Sequence, residues 1–341
     1  MEGLMSLLPL IPAPEPLGNN VVEFLQQLPG PCCMYLPGRD SSRCRFVVTL
    51  LHGNEPSGSE AIFRLLQQPQ QPVCDLYLAI MNVRAALTEP LFTYRQLPGM
   101  RDLNRCFRPP HADPEGQLAN ALMTLIHETR PEALIDLHNT SGNGPAFGVA
   151  VHLDSRHDAL VSLFTERLII TDLRLGALME MSERDVPTVT VECGGAQEEE
   201  SHQIAFDGLQ RFFTQENLFD LSEAPWPIEV LHNPVRLELT EDLRFSYSAA
   251  RRSSDQLTLR VDIEHFNFGV VTPDTVLGWC DEEAATQLRI RNAGADVPLA
   301  EWFSTDGGEL RPVRPLKLFM ITARPDIARS DCLLYAVRCR L

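Results

Sequence analysis

Phe46-Val47-Val48-Thr49-Leu50-Leu51-His52-Gly53-Asn54-Glu55 is the stretch that decides the reading of this chain. An uncharged run rich in β-branched side chains is what a strand buried on both faces requires, and here a histidine and a glutamate three residues apart follow it directly. The pattern returns twice. Ala133-Leu134-Ile135-Asp136-Leu137-His138 ends on a second histidine, and Val186-Pro187-Thr188-Val189-Thr190-Val191-Glu192 ends on an acid. In open α/β sheets ligands sit outside the carboxyl ends of the strands, so three such ends deliver chemistry to one edge.

His52, Glu55 and His138 are candidate metal ligands. Two imidazoles and one carboxylate leave a fourth position open on tetrahedral zinc, and an open position admits water. An HxxE pair alone is common; its place after a buried-looking strand, with the turn-tolerant Gly53-Asn54 between the two residues, gives it meaning. Asp136 should project from the same strand face as His138, either to hydrogen-bond a ligand, to cap a helix or to fill a buried structural role. Glu192 is the candidate general base: a carboxylate beside activated water takes its proton and later hands it to a leaving amine. Cys193-Gly194-Gly195 after it permits close backbone approach. His111, His127, His152, His157, His202, His232 and His265 lack such a setting and read as surface or structural groups.

Outward from these motifs, the first part of the chain alternates strand-like and helix-like segments, which predicts a mixed, mainly parallel sheet flanked by helices. Strands are expected at Phe46–Leu51, Leu76–Val83, Ala133–Leu137, Phe147–Leu153 and Thr188–Glu192. Helices are expected at Ser57–Gln67, Glu115–Glu128, Asp158–Leu168 and His202–Phe213, the second from the spacing of Leu118, Leu122, Leu125 and Ile126. Near Ala224-Pro225-Trp226-Pro227 the texture changes to short, partly alternating segments such as Val235–Leu239, Leu257–Ile263 and Leu333–Val337. The expected organisation is a catalytic domain over 1–225 and a smaller β-rich domain over 226–341.

Composition narrows the function classes. The 341 residues carry 29 Lys+Arg against 46 Asp+Glu, a formal charge of −17, which argues against a nucleic-acid or anionic-membrane surface as the main partner. Arginines nevertheless crowd between Arg84 and Arg108, as Arg95, Arg101 and Arg105 also show, consistent with a local basic pocket or with a solvated loop. Nine cysteines, an odd number without CxxC spacing, suggest neither a disulfide framework nor a thiolate zinc site, and fit a reducing cytoplasm. The apolar stretch Leu4–Ile11 follows Glu2 and is interrupted by prolines, so neither a signal peptide nor a membrane span is expected.

His52-Gly53-Asn54-Glu55, Asp102-Leu103-Asn104-Arg105, Asp136-Leu137-His138 and Val191-Glu192 together resemble, in order and approximate spacing, the succinylglutamate desuccinylase/aspartoacylase family, which belongs with the zinc carboxypeptidases. The resemblance covers residues 46–215, with a looser echo at Asn267-Phe268-Gly269-Val270 and Gly278. It implies a zinc carboxypeptidase-like fold in which His52, Glu55 and His138 hold Zn2+, Glu192 activates water, and Asn104 with Arg105 fixes the carboxylate of the amino-acid portion. A guanidinium fork suits that carboxylate, since it pairs bidentately.

The chain departs from the family where an arginine aimed at the scissile carbonyl is usual: the equivalent position is Leu97, which leaves Arg101 or Arg95 for that role. Arg184 falls where relatives contact the acyl group. The implied activity is zinc-dependent hydrolysis of the amide of a small anionic N-acyl amino acid, first N-succinylglutamate, then an aspartoacylase-like substrate or a peptide as for a metallocarboxypeptidase. A non-enzymatic metabolite- or partner-binding module on the same fold is the contrasting expectation. A homo-oligomer is compatible with everything in the sequence.

Overall fold

The computed structural model describes residues 7–140, 142–184, 186–220, 227–240, 243–292, 294–330 and 332–339. Strands β1 (Leu10–Ile11), β2 (Cys32–Leu36), β3 (Asp40–Thr49), β4 (Cys74–Ile80), β5 (Leu134–Thr140), β6 (Phe147–Ala150), β7 (Arg167–Ile170), β8 (Thr188–Gly195) and β9 (Glu229–His232) form one nine-stranded sheet in the order β1-β2-β4-β3-β5-β8-β6-β7-β9. β3 lies in its interior, parallel to β4 on one side and to the central β5 on the other, with Val47 opposite Leu78 and Ile135. β2 runs antiparallel to β4 and β6 antiparallel to β8, so the sheet is mixed but mainly parallel.

Strand alternation feeds two apolar layers. Val47, Leu78, Ile135 and Val191 pack with helices α1 (Val21–Gln26), α2 (Ser57–Leu66), α3 (Ser155–Ser162) and α4 (Glu199–Thr214) through Phe24, Ile62, Leu160 and Phe212. Phe46, Val48 and Leu134 face the other way, onto Leu122, Leu125 and Ile126 of the long helix Pro114–Thr129. That double covering explains why β3 and β5 read as unbroken apolar runs. Each side chain buried this way stabilises the fold by about 1.5–3 kcal/mol relative to exposure.

Local signals account for most of the ends. The long helix starts on Asp113, whose carboxylate accepts the Gly116 N–H at 2.7 Å, has Pro114 in its first turn and stops at Arg130 in the left-handed conformation, just before Pro131. The expected helix Asp158–Leu168 is a correction. It runs instead over Ser155–Ser162, capped by Asp154, and Leu168-Ile169-Ile170 belongs to β7, in parallel register with Gly148, Val149 and Ala150 of β6. The β-branched run completes a buried sheet, and that tertiary gain outweighs its helix-compatible spacing. β6 is correspondingly shorter than the expected Phe147–Leu153.

The chain separates into two compact units. One comprises Met1–Asn139, Ala146–Ile170 and Arg174–Val230; the other comprises Thr140–Pro145, Thr171–Leu173 and Leu231–Leu341. Residues 221–226, on which the expected boundary falls, lie outside the described residues. The second unit is β-rich. Val235–Leu239 pairs antiparallel with both Leu288–Asn292 and Leu334–Arg338, and Leu257–Arg260 belongs to a separate five-stranded sheet. Leu237, Leu257, Leu277, Leu310, Leu318 and Leu334 form its core.

Candidate active site

β3, β5 and β8 are neighbours in the sheet; His52 and Glu55 follow the end of β3, while His138 and Glu192 lie in the C-terminal halves of β5 and β8. After Thr49 the chain bends sharply at Leu50, a non-glycine residue with φ of 54°, and brings His52 to the strand end, where the Glu55 N–H closes a turn onto the His52 carbonyl at 3.3 Å. Gly53 and Asn54 are the central residues of that turn, as expected. Gly53 is also needed for space: a Cβ there would lie 2.6 Å from Ala85 Cβ and 2.8 Å from both Ala86 N and Tyr94 O.

The bend brings three expected ligands together. His52 Nδ1 lies 2.8 Å from Glu55 Oε1, His138 Nδ1 lies 2.6 Å from Glu55 Oε2, and one ligand atom from each residue falls within 4.8 Å of the others. All three side chains are buried. Behind each ring stands a carboxylate: His52 Nε2 is 3.0 Å from Asp102 Oδ1, and His138 Nε2 is 2.9 Å from Asp136 Oδ2, which also accepts the Thr190 hydroxyl at 3.1 Å. Asp136, fully buried, thus makes the expected hydrogen bond to His138. Asp102 is a further holder that its motif did not reveal as such. Its carboxylate also accepts the Asn104 N–H at 2.8 Å, a local turn contact that left its other role unreadable from spacing.

This donor set fits a divalent metal ion. A carboxylate on Nε2 keeps the proton there, fixes the ring orientation and turns the Nδ1 lone pair toward the shared centre. Electrostatics agree. Burial alone would raise the Glu55 carboxyl, but the imidazoles of His52 and His138 outweigh it and hold it well below the usual carboxylate range. His138 is raised well above an ordinary histidine, because Asp136 and Glu55 overcome the opposing effect of burial. Asp102 is depressed, its burial outweighed by the His52 hydrogen bond and the charges of His52, Arg95 and Arg105.

Glu192 is tuned the opposite way. Desolvation pushes its carboxyl up to about 7, with Glu55 adding repulsion and His138, His52 and Arg95 opposing it, so the group feels the whole cluster. Its Oε2 is buried without a hydrogen-bond partner among the described residues. A carboxylate poised near neutrality beside candidate metal ligands has the setting of a general base.

The arginines divide. Arg101 is not brought to the cluster; its guanidinium pairs with Asp113 at the start of the long helix, Nε to Oδ2 at 2.6 Å and Nη2 to Oδ1 at 2.8 Å. Arg95 reaches the site, with Nη2 2.9 Å from Asp102 Oδ2 and Nη1 3.5 Å from Glu55 Oε1. A helix-capping aspartate thus captures the residue nearer to the motif. Asn104 is buried, and its Oδ1 accepts the Leu178 N–H at 2.9 Å, an anchoring contact. Arg105 is exposed, with Nη1 donating to the Asn104 carbonyl at 2.8 Å. The side chain of Arg184 lies outside the described residues.

Comparisons with known proteins follow the same lines. No curated protein matches the chain. Among solved structures, a succinylglutamate desuccinylase from Vibrio cholerae has a TM-score of 0.56 at 13% identity, covering 94% of this chain and 99% of that one. A succinylglutamate desuccinylase/aspartoacylase from Rhodobacter sphaeroides has a TM-score of 0.52 at 15% identity, covering 85% and 82%. A succinylglutamate desuccinylase from Chromobacterium violaceum has a TM-score of 0.50 at 17% identity, covering 89% and 87%. At such identities the likeness establishes the fold. The model of the succinylglutamate desuccinylase/aspartoacylase catalytic domain matches residues 46–212, the span that holds the ligand cluster and Glu192. Over those residues, this chain matches the catalytic domain of the succinylglutamate desuccinylase/aspartoacylase family.

Proposed function

We propose that this protein is a zinc-dependent hydrolase that cleaves the amide bond of an N-acyl amino acid, with N-succinylglutamate as the first candidate substrate. The observation that carries the reading is the convergence of His52, Glu55 and His138, each imidazole backed by its own carboxylate, within the electrostatic reach of a neutral-range Glu192. Zinc bound by those three residues supplies Lewis acidity for the scissile carbonyl and acidifies a water molecule.

The protein's own groups do the rest. Glu192 takes a proton from the attacking water as the new C–O bond forms, then delivers it to the nitrogen as the C–N bond breaks, releasing the carboxylic acid and the free amine. Arg95 takes the role left open between it and Arg101, that of the cation steadying negative charge on the carbonyl oxygen; its contacts with Asp102 and Glu55 support this. Arg105 binds the carboxylate of the amino-acid portion, and Asn104 keeps that arginine in place by anchoring the turn at Leu178. Arg184 remains the proposed contact for the acyl group. The active domain is the N-terminal one.

A cytoplasmic setting accords with nine cysteines none of which is in a disulfide, and no helix among the described residues is long and apolar enough to cross a membrane. The test is zinc analysis of the purified protein together with a product screen over short mono- and dicarboxylic N-acyl amino acids. Stoichiometric zinc with release of acid and amine supports the proposal; zinc-loaded protein that hydrolyses none of them refutes it.

A further inference from the structure

Asn139, directly after the second histidine, is buried, and its side chain hydrogen-bonds two other segments of the site. Nδ2 donates to Ser57 Oγ at 2.7 Å and to the Gly194 carbonyl at 2.9 Å, while Oδ1 accepts the Ser57 N–H at 3.0 Å. Its backbone N–H also points to Glu55 Oε2 at 3.3 Å. Ser57 opens α2, and the residue before it, Pro56, offers no side-chain cap. Since the first N–H groups of a helix have no acceptor within the helix, Asn139 supplies from a distant strand the cap that Pro56 cannot.

The junction is tight. A Cβ on Gly58 would lie 2.1 Å from Thr49 Oγ1 and 2.8 Å from Leu137 Cβ, so the start of α2 rests against β3 and β5. Because Ser57 Oγ accepts from Asn139, its own hydrogen is left for His202 Nδ1, 2.8 Å away on α4. One amide thereby ties the Glu55 turn and the strand of His138 to the strand of Glu192, which reaches Gly194 two residues later.

We infer that Asn139 is a positioning residue that sets the Glu192 strand end against the metal-ligand turn, with Ser57 and His202 completing its network. The inference rests on the proposed function. Its force comes from geometry: a base displaced by about 1 Å can cost on the order of 100-fold in rate.

Asn139→Asp tests it, because the variant keeps an acceptor for the Ser57 N–H and removes both Nδ2 donors. Ser57→Ala is the milder partner, deleting only the hydroxyl. The readouts are kcat and KM on whichever N-acyl amino acid the wild type hydrolyses, zinc affinity by chelator competition, and the melting temperature. Asn139→Asp should lower kcat by roughly 10–100-fold with KM within about threefold, and weaken zinc binding at least about tenfold, while melting stays near that of the wild type. Ser57→Ala should move kcat and zinc affinity in the same direction by a few-fold.

Wild-type kcat and zinc affinity in Asn139→Asp would overturn the inference, as would losses that track only the fraction of unfolded protein. Should Asn139→Asp not fold, unchanged kcat and zinc affinity in Ser57→Ala overturn it instead. A wild-type protein with neither zinc nor hydrolysis refutes the proposed function itself and this role with it, an outcome distinct from an active enzyme indifferent to residue 139.

Discussion

Replacing Glu192 by glutamine keeps the shape of the side chain and removes its ability to take a proton, so it separates two consequences of burying this acid. The first concerns stability. Raising a carboxyl from 4.5 to about 7 costs on the order of 3 kcal/mol at a pH above both values. The sign follows from proton counts: between those values the folded protein holds a proton that the unfolded chain has lost, so stability falls as pH rises through that window. The figure is an upper bound, because the residue retains some solvent contact and a buried glutamine amide has its own desolvation cost.

Metal-free wild type and Glu192→Gln should therefore be compared by urea unfolding near pH 5 and near pH 8. All other titrating groups are common to both proteins. The variant should gain on the order of 2 kcal/mol relative to wild type at the higher pH and little at the lower. The second consequence is catalytic: the zinc-loaded variant should lose about 100- to 10,000-fold in kcat. Equal stability changes at both pH values would refute the claim of a raised carboxyl, and full kcat with zinc bound would refute the assigned base.

Three further outcomes follow from the geometry. Asp102→Asn and Asp136→Asn should each weaken zinc binding by roughly 10–100-fold in chelator competition, since each removes the carboxylate that fixes an imidazole. Arg95→Ala should reduce kcat at least about tenfold, whereas Arg101→Ala should leave both kcat and the melting temperature near wild type, as expected for a solvent-exposed ion pair; steady-state kinetics beside thermal melting tells the two apart. Gly58→Ala should destabilise by about 1–3 kcal/mol or more in the same unfolding assay, because its methyl meets Thr49 and Leu137 at distances that force β3, β5 or α2 to move.

Much of the fold was legible because strands covered on both faces must be apolar throughout. Phe46–Leu51 and Ala133–Leu137 show this, and their ends are where His52 and His138 stand. What the residues could not disclose are choices made between distant partners. The expected helix reached Leu168, yet Leu168 joins Ile169 and Ile170 in a strand because β6 lies beside it. Arg95 and Arg101 are equivalent in sequence until Asp113 binds one and Asp102 the other. Asp102 sat inside the quoted motif without a role, since nothing in its spacing reports a contact to a ring fifty positions earlier. Asn139 carries no sign of its role in the sequence, since its partners Ser57 and Gly194 lie far away along the chain.

The carboxylates facing both nitrogens of each imidazole make protons and metal rivals. All four contacts of His52 and His138 are hydrogen bonds only when each ring bears hydrogen on both nitrogens, so a cation entering between the rings must expel what Nδ1 carries. Loading is then an exchange of one kind of positive charge for another. Any divalent ion held there is favoured by alkaline solution and displaced by acid.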